Sequence, residues 1–205
     1  MGLYSNQVLP RVVALAMGGK GFREQRSAAL SGVRGRVLEL GFGSGHNLAF
    51  YPQGVTEVLA LEPALLNRKL AAKRIAASSI PVQWVGLRGE EIPLDANSVD
   101  CVTSTWTMCT IPNLAAALRE THRVLAPGGK LHFIEHGLSA DPGVARWQKR
   151  LSPIQKFWSG GCRLDRKIDE AILAAGFEIE KLENFYMHGP KVATYLYRGV
   201  ARPSE

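Results

Sequence analysis

The chain has 205 residues, of which 46% are hydrophobic and 21% are charged, and its formal net charge is +7. These values predict one folded domain over residues 1–205 and exclude a disordered chain. No apolar run approaches the roughly 20 residues of a membrane span, the N-terminus lacks a secretory signal pattern, and the basic residues are scattered. We therefore expect a cytoplasmic protein that binds no nucleic acid, while peripheral contact with a membrane surface stays open.

Strand and helix patterns alternate along the chain. Residues 7–30 predict two short helices, because a glycine-containing run at 17–21 interrupts their apolar pattern. The patterns that follow predict strands at 36–40, 58–62, 82–87, 99–106, 130–136, 177–184 and 192–200, and helices at 45–50, 64–77, 112–125 and 164–175. Alternation with short connections predicts an α/β fold, a doubly wound and mostly parallel sheet with helices on both faces.

The first predicted strand leads into the most informative segment of the sequence. Its apolar residues are followed by Gly41, Gly43 and Gly45, and a helix start comes next. Glycine permits positive φ and lets the backbone approach a ligand closely. Glu39 at the end of the strand would repel a pyrophosphate and attract a cation, which favours S-adenosylmethionine over a dinucleotide.

A second carboxylate, Glu62, stands at the end of the next predicted strand, before Pro63. It follows Glu39 by 23 residues, which is close to the spacing at which a carboxylate accepts hydrogen bonds from a ribose diol. The alternative is a glycine-rich connecting turn with an ordinary surface glutamate. Two carboxylates, each at the end of a predicted strand and spaced in this way, favour a cofactor that contains a nucleoside.

Short motifs at 39–45, 61–63, 89–94, 98–100 and 124–130 occur in the order typical of a large enzyme family. With them the chain resembles the class I S-adenosylmethionine-dependent methyltransferases over nearly its whole length. The resemblance implies a seven-stranded sheet whose last strand runs antiparallel, and S-adenosylmethionine as the cofactor.

The resemblance also implies which residues contact the cofactor. Many members of the family carry Asp where Arg88 stands, so the adenine contact is expected from Glu90 and the backbone of Gly89. The complete set expected at the cofactor is Glu39, Gly41, Phe42, Gly43, Gly45, Asn47, Glu62, Pro63, Gly89, Glu90 and Thr105.

A narrower resemblance concerns the methyl acceptor. The segments 101–111, Phe133–His136, Gly161–Leu164 and Gly189–Pro190 are similar to a methyltransferase-like family of small-thiol S-methyltransferases. This implies S-methylation of a small thiol or of sulfide. The chain is also similar, less distinctively, to phospholipid-amine N-methyltransferases and to quinone-biosynthesis C-methyltransferases. An alternative from another functional class is a non-catalytic binding module that has the cofactor-binding fold.

Three residues are candidates for the acceptor side. His136 ends a predicted strand, and its ordinary pKa near 6.5 suits proton removal from a thiol, whereas the alternative is a structural histidine. Trp106 follows another strand, and Trp158 is expected in a glycine-containing loop. Their rings could shape a dry acceptor pocket and face the sulfonium, or they could simply pack in the core.

Two further features of the sequence are its three cysteines and its N-terminal segment. Cys101, Cys109 and Cys162 are widely spaced without a CxxC pair, which predicts reduced thiols without a metal site or a disulfide framework. Cys109 and Cys162 are expected to be small packing residues rather than nucleophiles. Residues 1–30, including Tyr4, are expected to form a helical lid over the cofactor and the acceptor. The alternative is an amphipathic helix on the sheet edge or on a membrane surface.

Overall fold

The computed structural model describes residues 7–204 of the chain, and of Trp158 it describes the backbone alone. The strands are β1 (Gly35–Leu40), β2 (Val55–Leu61), β3 (Val82–Gly86), β4 (Val99–Thr105), β5 (Leu125–His136), β6 (Phe177–Tyr186) and β7 (Tyr195–Pro203). The helices are α1 (Leu9–Ala16), α2 (Lys20–Leu30), α3 (Leu65–Ala76), α4 (Leu114–Val124), α5 (Pro142–Trp158), α6 (Ile168–Ala174) and α7 (Lys191–Thr194). A short 3₁₀ helix covers His46–Ala49.

The seven strands form one sheet in the order β3-β2-β1-β4-β5-β7-β6. Strands β1 to β5 pair in parallel, while β7 lies antiparallel between β5 and β6. The predicted fold class, a mostly parallel and doubly wound sheet with an antiparallel last strand, is confirmed. The strand order reverses between β1 and β4, and the crevice outside the carboxyl ends of such strands is where open α/β sheets bind ligands.

Hydrophobic cores lie on both faces of the sheet, because successive residues of a strand point to opposite sides. On β1, Leu38 and Leu40 join the core under α4 and α6, where Leu118 is also fully buried. Val37 points to the other face and packs in the core that includes Ala71 of α3. The central strand is therefore covered on both sides, which leaves its carboxyl end as the free edge for a site.

Helix α4 confirms the helix predicted at 112–125, and one side of it is buried. Its buried residues are Leu114, Ala117, Leu118, Thr121 and Val124. The helix begins two residues later than predicted, because the Asn113 side chain caps it by accepting a hydrogen bond from the Ala116 N–H at 3.1 Å. Strand β5 follows at once from Leu125, five residues earlier than predicted.

Helix α5 corrects the predicted loop around Trp158. The helix runs to Trp158, so this residue lies in the last helical turn and the loop begins at Ser159. Asp141 caps its start by accepting the Gly143 N–H at 2.8 Å. The sequence pattern did not reveal α5 because Pro153 lies inside it and its apolar residues form no single buried stripe. Among the described helices, α5 included, none combines the length and apolar character that a membrane span needs.

Candidate active site

A cavity of about 690 Å³ opens at the carboxyl ends of β1, β2 and β4, a volume within the usual range for small-molecule sites. Most of the residues predicted from the sequence line this cavity. They are Glu39, Gly41, Phe42, Gly43, Asn47, Glu62, Pro63, Gly89, Glu90, Thr105 and Trp106. Ten of the eleven expected cofactor residues, which are dispersed over 67 positions of the sequence from 39 to 105, therefore share one cavity.

The glycine turn shapes the floor of the cavity. Gly41 and Gly43 have φ of +67° and +57°, in the left-handed region that favours glycine. A Cβ on Gly41 would lie 2.3 Å from Thr107 Oγ1, whereas a Cβ on Gly43 would meet nothing closer than 3.9 Å. The turn therefore needs glycine at 41 to close, and at 43 it leaves open space for a ligand.

Gly45 has a different position from the one predicted. It is absent from the described residues that line the cavity, and it precedes the 3₁₀ helix with φ of +79°. A Cβ there would lie 3.2 Å from the Phe42 ring and 3.5 Å from Ala71. Close packing of the turn on α3, rather than approach to a ligand, accounts for glycine at this position.

Glu62 is buried and already holds the glycine turn in place. Its carboxylate accepts the Gly43 N–H at 2.7 Å, the Ala64 N–H at 2.8 Å and the Asn67 side-chain amide at 3.1 Å. A carboxylate offers about four acceptor positions, so these donors leave about one for a ligand hydroxyl. Two hydrogen bonds to a ribose would require one of the present donors to move away.

Glu39 is a buried acid that faces the same cavity. Its carboxyl group accepts hydrogen bonds from the Tyr51 hydroxyl at 2.7 Å and from the Asn47 amide at 2.8 Å. Burial nevertheless raises the pKa of Glu39 to about 8, with Tyr51 opposing the increase. A cationic ligand beside this group would favour its ionised form.

Arg26 and Trp106 form a second buried pair on the cavity wall. The guanidinium carbon of Arg26 lies 5.0 Å from the Trp106 ring centroid, and its terminal nitrogen donates to the Met17 carbonyl at 3.1 Å. Trp106 has φ of +54°, a conformation that costs a non-glycine residue about 1–3 kcal/mol and often marks functional sites. Its buried indole N–H has no hydrogen-bond acceptor among the described residues. Sequence reasoning missed Arg26, because nothing distinguishes it there from a scattered surface cation.

Glu135 fixes the loop that carries Trp106. This fully buried carboxylate at the end of β5 accepts the Ser104 hydroxyl at 2.7 Å, the Thr107 N–H at 2.9 Å and the Cys109 N–H at 3.2 Å. Burial raises the pKa of Glu135, whereas these hydrogen bonds act in the opposite direction. The sequence showed Glu135 only as part of a motif, and its positioning role depends on three contacts across the sheet edge.

The N-terminal helix α1 contributes to the wall of the cavity. Leu9, Val13 and Ala14 line it, and the His46 imidazole donates a hydrogen bond to the Ala14 carbonyl at 2.7 Å. Helix α1 has no buried residue, and Leu15 on its outer side is 83% exposed. The structure therefore puts α1 beside the cavity, and its movement as a lid stays a prediction. Tyr4 lies outside the described residues.

The sequence that forms this cavity is similar to sequences of known proteins. Residues 38–133 match the methyltransferase domain family. The chain is also 35% identical over 153 residues to the human thiol S-methyltransferase TMT1A, in a match that covers 72% of this chain and 62% of that protein. The chain is therefore similar in sequence to methyltransferases.

A further relative is similar in sequence, and two solved structures share the fold. Thiol S-methyltransferase TMT1B of Mus musculus is 36% identical over 162 residues, which cover 75% of this chain and 65% of the relative. The chain thus spans less than two thirds of the length of these thiol relatives. The putative methyltransferase of Haloferax volcanii, solved with its Trm112 activator, superposes with a TM-score of 0.72 at 15% identity over 98% of this chain and 96% of that one. YcgJ of Bacillus subtilis gives 0.68 at 14% identity, with coverage of 89% and 99%.

The cavity holds only part of the residues predicted for the acceptor side. Thr110 and Gly160 line it, whereas His136 is not among the described residues on the wall. The side chain of Trp158 lies outside the described part, although its neighbour Ser159 reaches the cavity. Of the three predicted catalytic residues, Trp106 therefore lies on the wall, and a base role for His136 stays a prediction.

His136 lies instead in a buried cluster with two cysteines. The Sγ atoms of Cys109 and Cys162 are 3.5 Å apart, and both side chains are buried beside Leu164. The hydrogen bond with Cys109 and the neighbouring His136 lower the pKa of the Cys162 thiol to about 5, while the pKa of Cys109 is raised. Both cysteines are free and buried, as the prediction of reduced packing residues requires, and the structure adds that they lie beside each other and beside His136. The available signal was that Cys109 and His136 follow adjacent parallel strands, whose carboxyl ends meet.

Proposed function

We propose that the chain transfers a methyl group from S-adenosylmethionine to a small thiol or to sulfide. The observation that carries this proposal is one cavity whose wall combines the glycine turn, two buried carboxylates and Trp106 at the strand ends. The identity to thiol S-methyltransferases supports the acceptor class. We expect the acceptor to be a small molecule rather than a nucleic acid, and the reaction to occur in the cytoplasm.

The residues of the cavity fit the groups of this cofactor. When bound, S-adenosylmethionine supplies a methyl group on a sulfonium, which leaves as a neutral thioether. Glu39 would hold the cationic amino-acid end, because it is a buried acid with a raised pKa that a cation would stabilise. Glu62 would accept a ribose hydroxyl at its remaining acceptor position. Gly89 and Glu90 would lie at the adenine.

Trp106 would shape the reacting end of the cavity. Aromatic faces attract cations, and a ring already in contact with a guanidinium can meet a sulfonium as well. The unpaired indole N–H is a buried donor left for a ligand, since buried polar groups are nearly always hydrogen-bonded. The hydrogen bonds of Glu135 to this loop would hold the ring in its strained conformation while ligands exchange.

Cofactor binding and acceptor choice are tested separately. Titration calorimetry with S-adenosylmethionine should give saturable binding to the wild-type chain and to Glu24→Gln, a surface control on α2. A panel containing sulfide, small alkyl thiols, phosphatidylethanolamine and a quinol is then assayed for release of S-adenosylhomocysteine. We expect release with the sulfur acceptors.

Each assay has an outcome that contradicts the proposal. The absence of saturable binding at millimolar cofactor would refute the enzyme assignment and favour a module without catalytic activity. Activity on the lipid amine or on the quinol, with no activity on any thiol, would move the enzyme to N-methylation or C-methylation. The quinol outcome has its own motivation, because the sequence is also similar, less distinctively, to quinone-biosynthesis C-methyltransferases.

A further inference from the structure

Three potential metal ligands from distant parts of the sequence meet next to residues that line the cavity. Cys109 follows β4, His136 ends β5, and Cys162 follows α5. Their ligand atoms all lie within 4.8 Å of one another. Both cysteines are buried and His136 is half-buried, so solvent reaches the cluster from the histidine side.

The spacing of the two sulfur atoms suits a bound metal ion. Tetrahedral zinc with Zn–S bonds of about 2.3 Å separates two sulfur ligands by about 3.8 Å, whereas a disulfide requires about 2.05 Å. The observed 3.5 Å between Cys109 and Cys162 is near the first value. Two thiolates with one imidazole form a soft donor set that favours zinc over magnesium or calcium.

We propose that Cys109, His136 and Cys162 bind a zinc ion and leave its fourth position open to an exogenous thiolate. No fourth His, Cys, Asp or Glu of the described residues joins the group. Three protein ligands with one open position are typical of catalytic zinc, whereas structural zinc has four. The thiolate part of the inference rests on the proposed function, in which the acceptor is a thiol.

The cluster is held rigidly next to the cavity. Thr110 and Gly160, which line the cavity, are within two residues of Cys109 and Cys162 respectively. The Arg163 N–H donates to the Cys109 carbonyl at 3.0 Å, and this bond joins the two loops. The Arg166 guanidinium adds a hydrogen bond to the Ile111 carbonyl at 2.5 Å and another to the Met108 carbonyl. The ligands therefore lie on loops whose separation is already fixed.

Zinc at this position would provide what thiol methylation needs at neutral pH. A free thiol has a pKa of about 8.5, but a thiol coordinated to zinc is deprotonated. The S–H bond of the acceptor breaks as its sulfur binds zinc, and the proton leaves to water through the half-buried side of His136. The coordinated sulfur then forms a bond to the methyl carbon as the bond to the sulfonium sulfur breaks. Zinc remains divalent throughout, so the step requires no oxidant or reductant.

Metal content and cobalt spectroscopy test the site without relying on activity. The full chain is purified with a thiol-free phosphine reductant, dialysed, and analysed for zinc, where we expect one equivalent. Cobalt substitution should give the intense sulfur-to-cobalt charge-transfer absorption and the visible bands of tetrahedral coordination. Addition of sulfide or of a small alkyl thiol should change that spectrum, because a further thiolate enters the fourth position.

Matched variants identify the ligands. Cys162→Ser and His136→Ala should lose the equivalent of zinc and the cobalt charge-transfer band, while Cys101→Ser should keep both. Cys101 is the matched control, because it is also buried but lies in β4 outside the group. Since His136 is half-buried, its variant supplies a test even where a cysteine variant fails to fold. Calorimetry should still show S-adenosylmethionine binding to Cys162→Ser.

Several outcomes would overturn the inference, and they differ from a failure of the proposed function. Reduced wild-type protein that holds no zinc or cobalt after dialysis would eliminate the metal site. If Cys162→Ser and His136→Ala retain as much zinc as the wild type, residues outside this group bind the metal. A cobalt spectrum indifferent to saturating thiol would refute the open fourth position. If the protein binds zinc at this site but methylates no thiol, the proposed function is refuted and the zinc site is not.

Discussion

Replacement of Glu39 by glutamine should stabilise the protein without cofactor and weaken its binding of cofactor. Burial raises the pKa of Glu39 to about 8 from the ordinary 4.5, so the folded chain retains a proton that the unfolded chain loses between these values. Stability therefore falls as pH rises from about 4.5 to about 8. Each pH unit costs about 1.4 kcal/mol, which gives about 3 kcal/mol at pH 7. Glutamine keeps the shape of the side chain and removes this cost.

Thermal unfolding followed by circular dichroism measures the effect. For a chain of this size we expect Glu39→Gln to raise Tm by about 5–10 °C at pH 7 and by less than about 2 °C at pH 5. The same variant should bind S-adenosylmethionine about 10–100-fold more weakly, because a charged partner of the cation is lost. Glu24→Gln controls for loss of a surface carboxylate. If Glu39→Gln destabilises the protein equally at both pH values, Glu39 is not a buried acid with a raised pKa.

Four further predictions concern the same cavity. Glu62→Ala should weaken S-adenosylmethionine binding by about 1–3 kcal/mol in calorimetry, because a ribose hydroxyl loses its acceptor. It should also lower Tm, because the glycine turn loses the acceptor of the Gly43 N–H. Unchanged affinity would contradict a ribose contact. Gly43→Val should abolish cofactor binding, because a branched side chain would fill the open space there in a strained backbone, and retained binding would exclude a ligand at this turn. His136→Ala should lower turnover by about 10²–10⁴-fold with cofactor affinity nearly unchanged, and partial activity in His136→Cys would favour a metal ligand over a free base. If α1 and α2 act as a lid, S-adenosylmethionine should protect the chain from tryptic cleavage at Lys20 and Arg23, and unchanged cleavage would argue against a lid.

The sequence predicted the fold well because the relevant patterns are local. A buried parallel strand is a short apolar run, and the apolar stripe of α4 repeats with the helical period. The carboxylates Glu39 and Glu62 could be assigned to the cavity for the same reason, since each stands at the end of such a strand. Helix α5 was not predicted, because its position depends on contacts that leave no periodic pattern in its own residues.

The parts of the site that the sequence did not reveal depend on distant contacts. Arg26 is an ordinary helical arginine until the fold brings it to Trp106, which is 80 positions away. Cys109 and Cys162 are separated by 53 residues, and only the meeting of two loops at the sheet edge brings their sulfur atoms within 3.5 Å. Spacing rules for cysteines apply to ligands close in sequence, so they could not have detected this pair.

Two buried carboxylates at the sheet edge show how a structural acid differs from one available for a ligand. Glu135 receives three donors, two of them backbone N–H groups, so its burial organises the loop that carries Trp106. Glu39 receives two side-chain donors and faces an open cavity, and burial raises its pKa to about 8. In the folded chain, hydrogen bonds offset only part of the desolvation cost of the ionised Glu39 carboxylate. A bound cation would offset the rest, so the cost to folding stability becomes a gain in cofactor affinity. Burial raises the pKa of both acids, but their donors differ. Glutamine should stabilise the protein at Glu39, where its amide nitrogen can donate to the Tyr51 hydroxyl, and destabilise it at Glu135, where that nitrogen cannot accept the Thr107 or the Cys109 N–H.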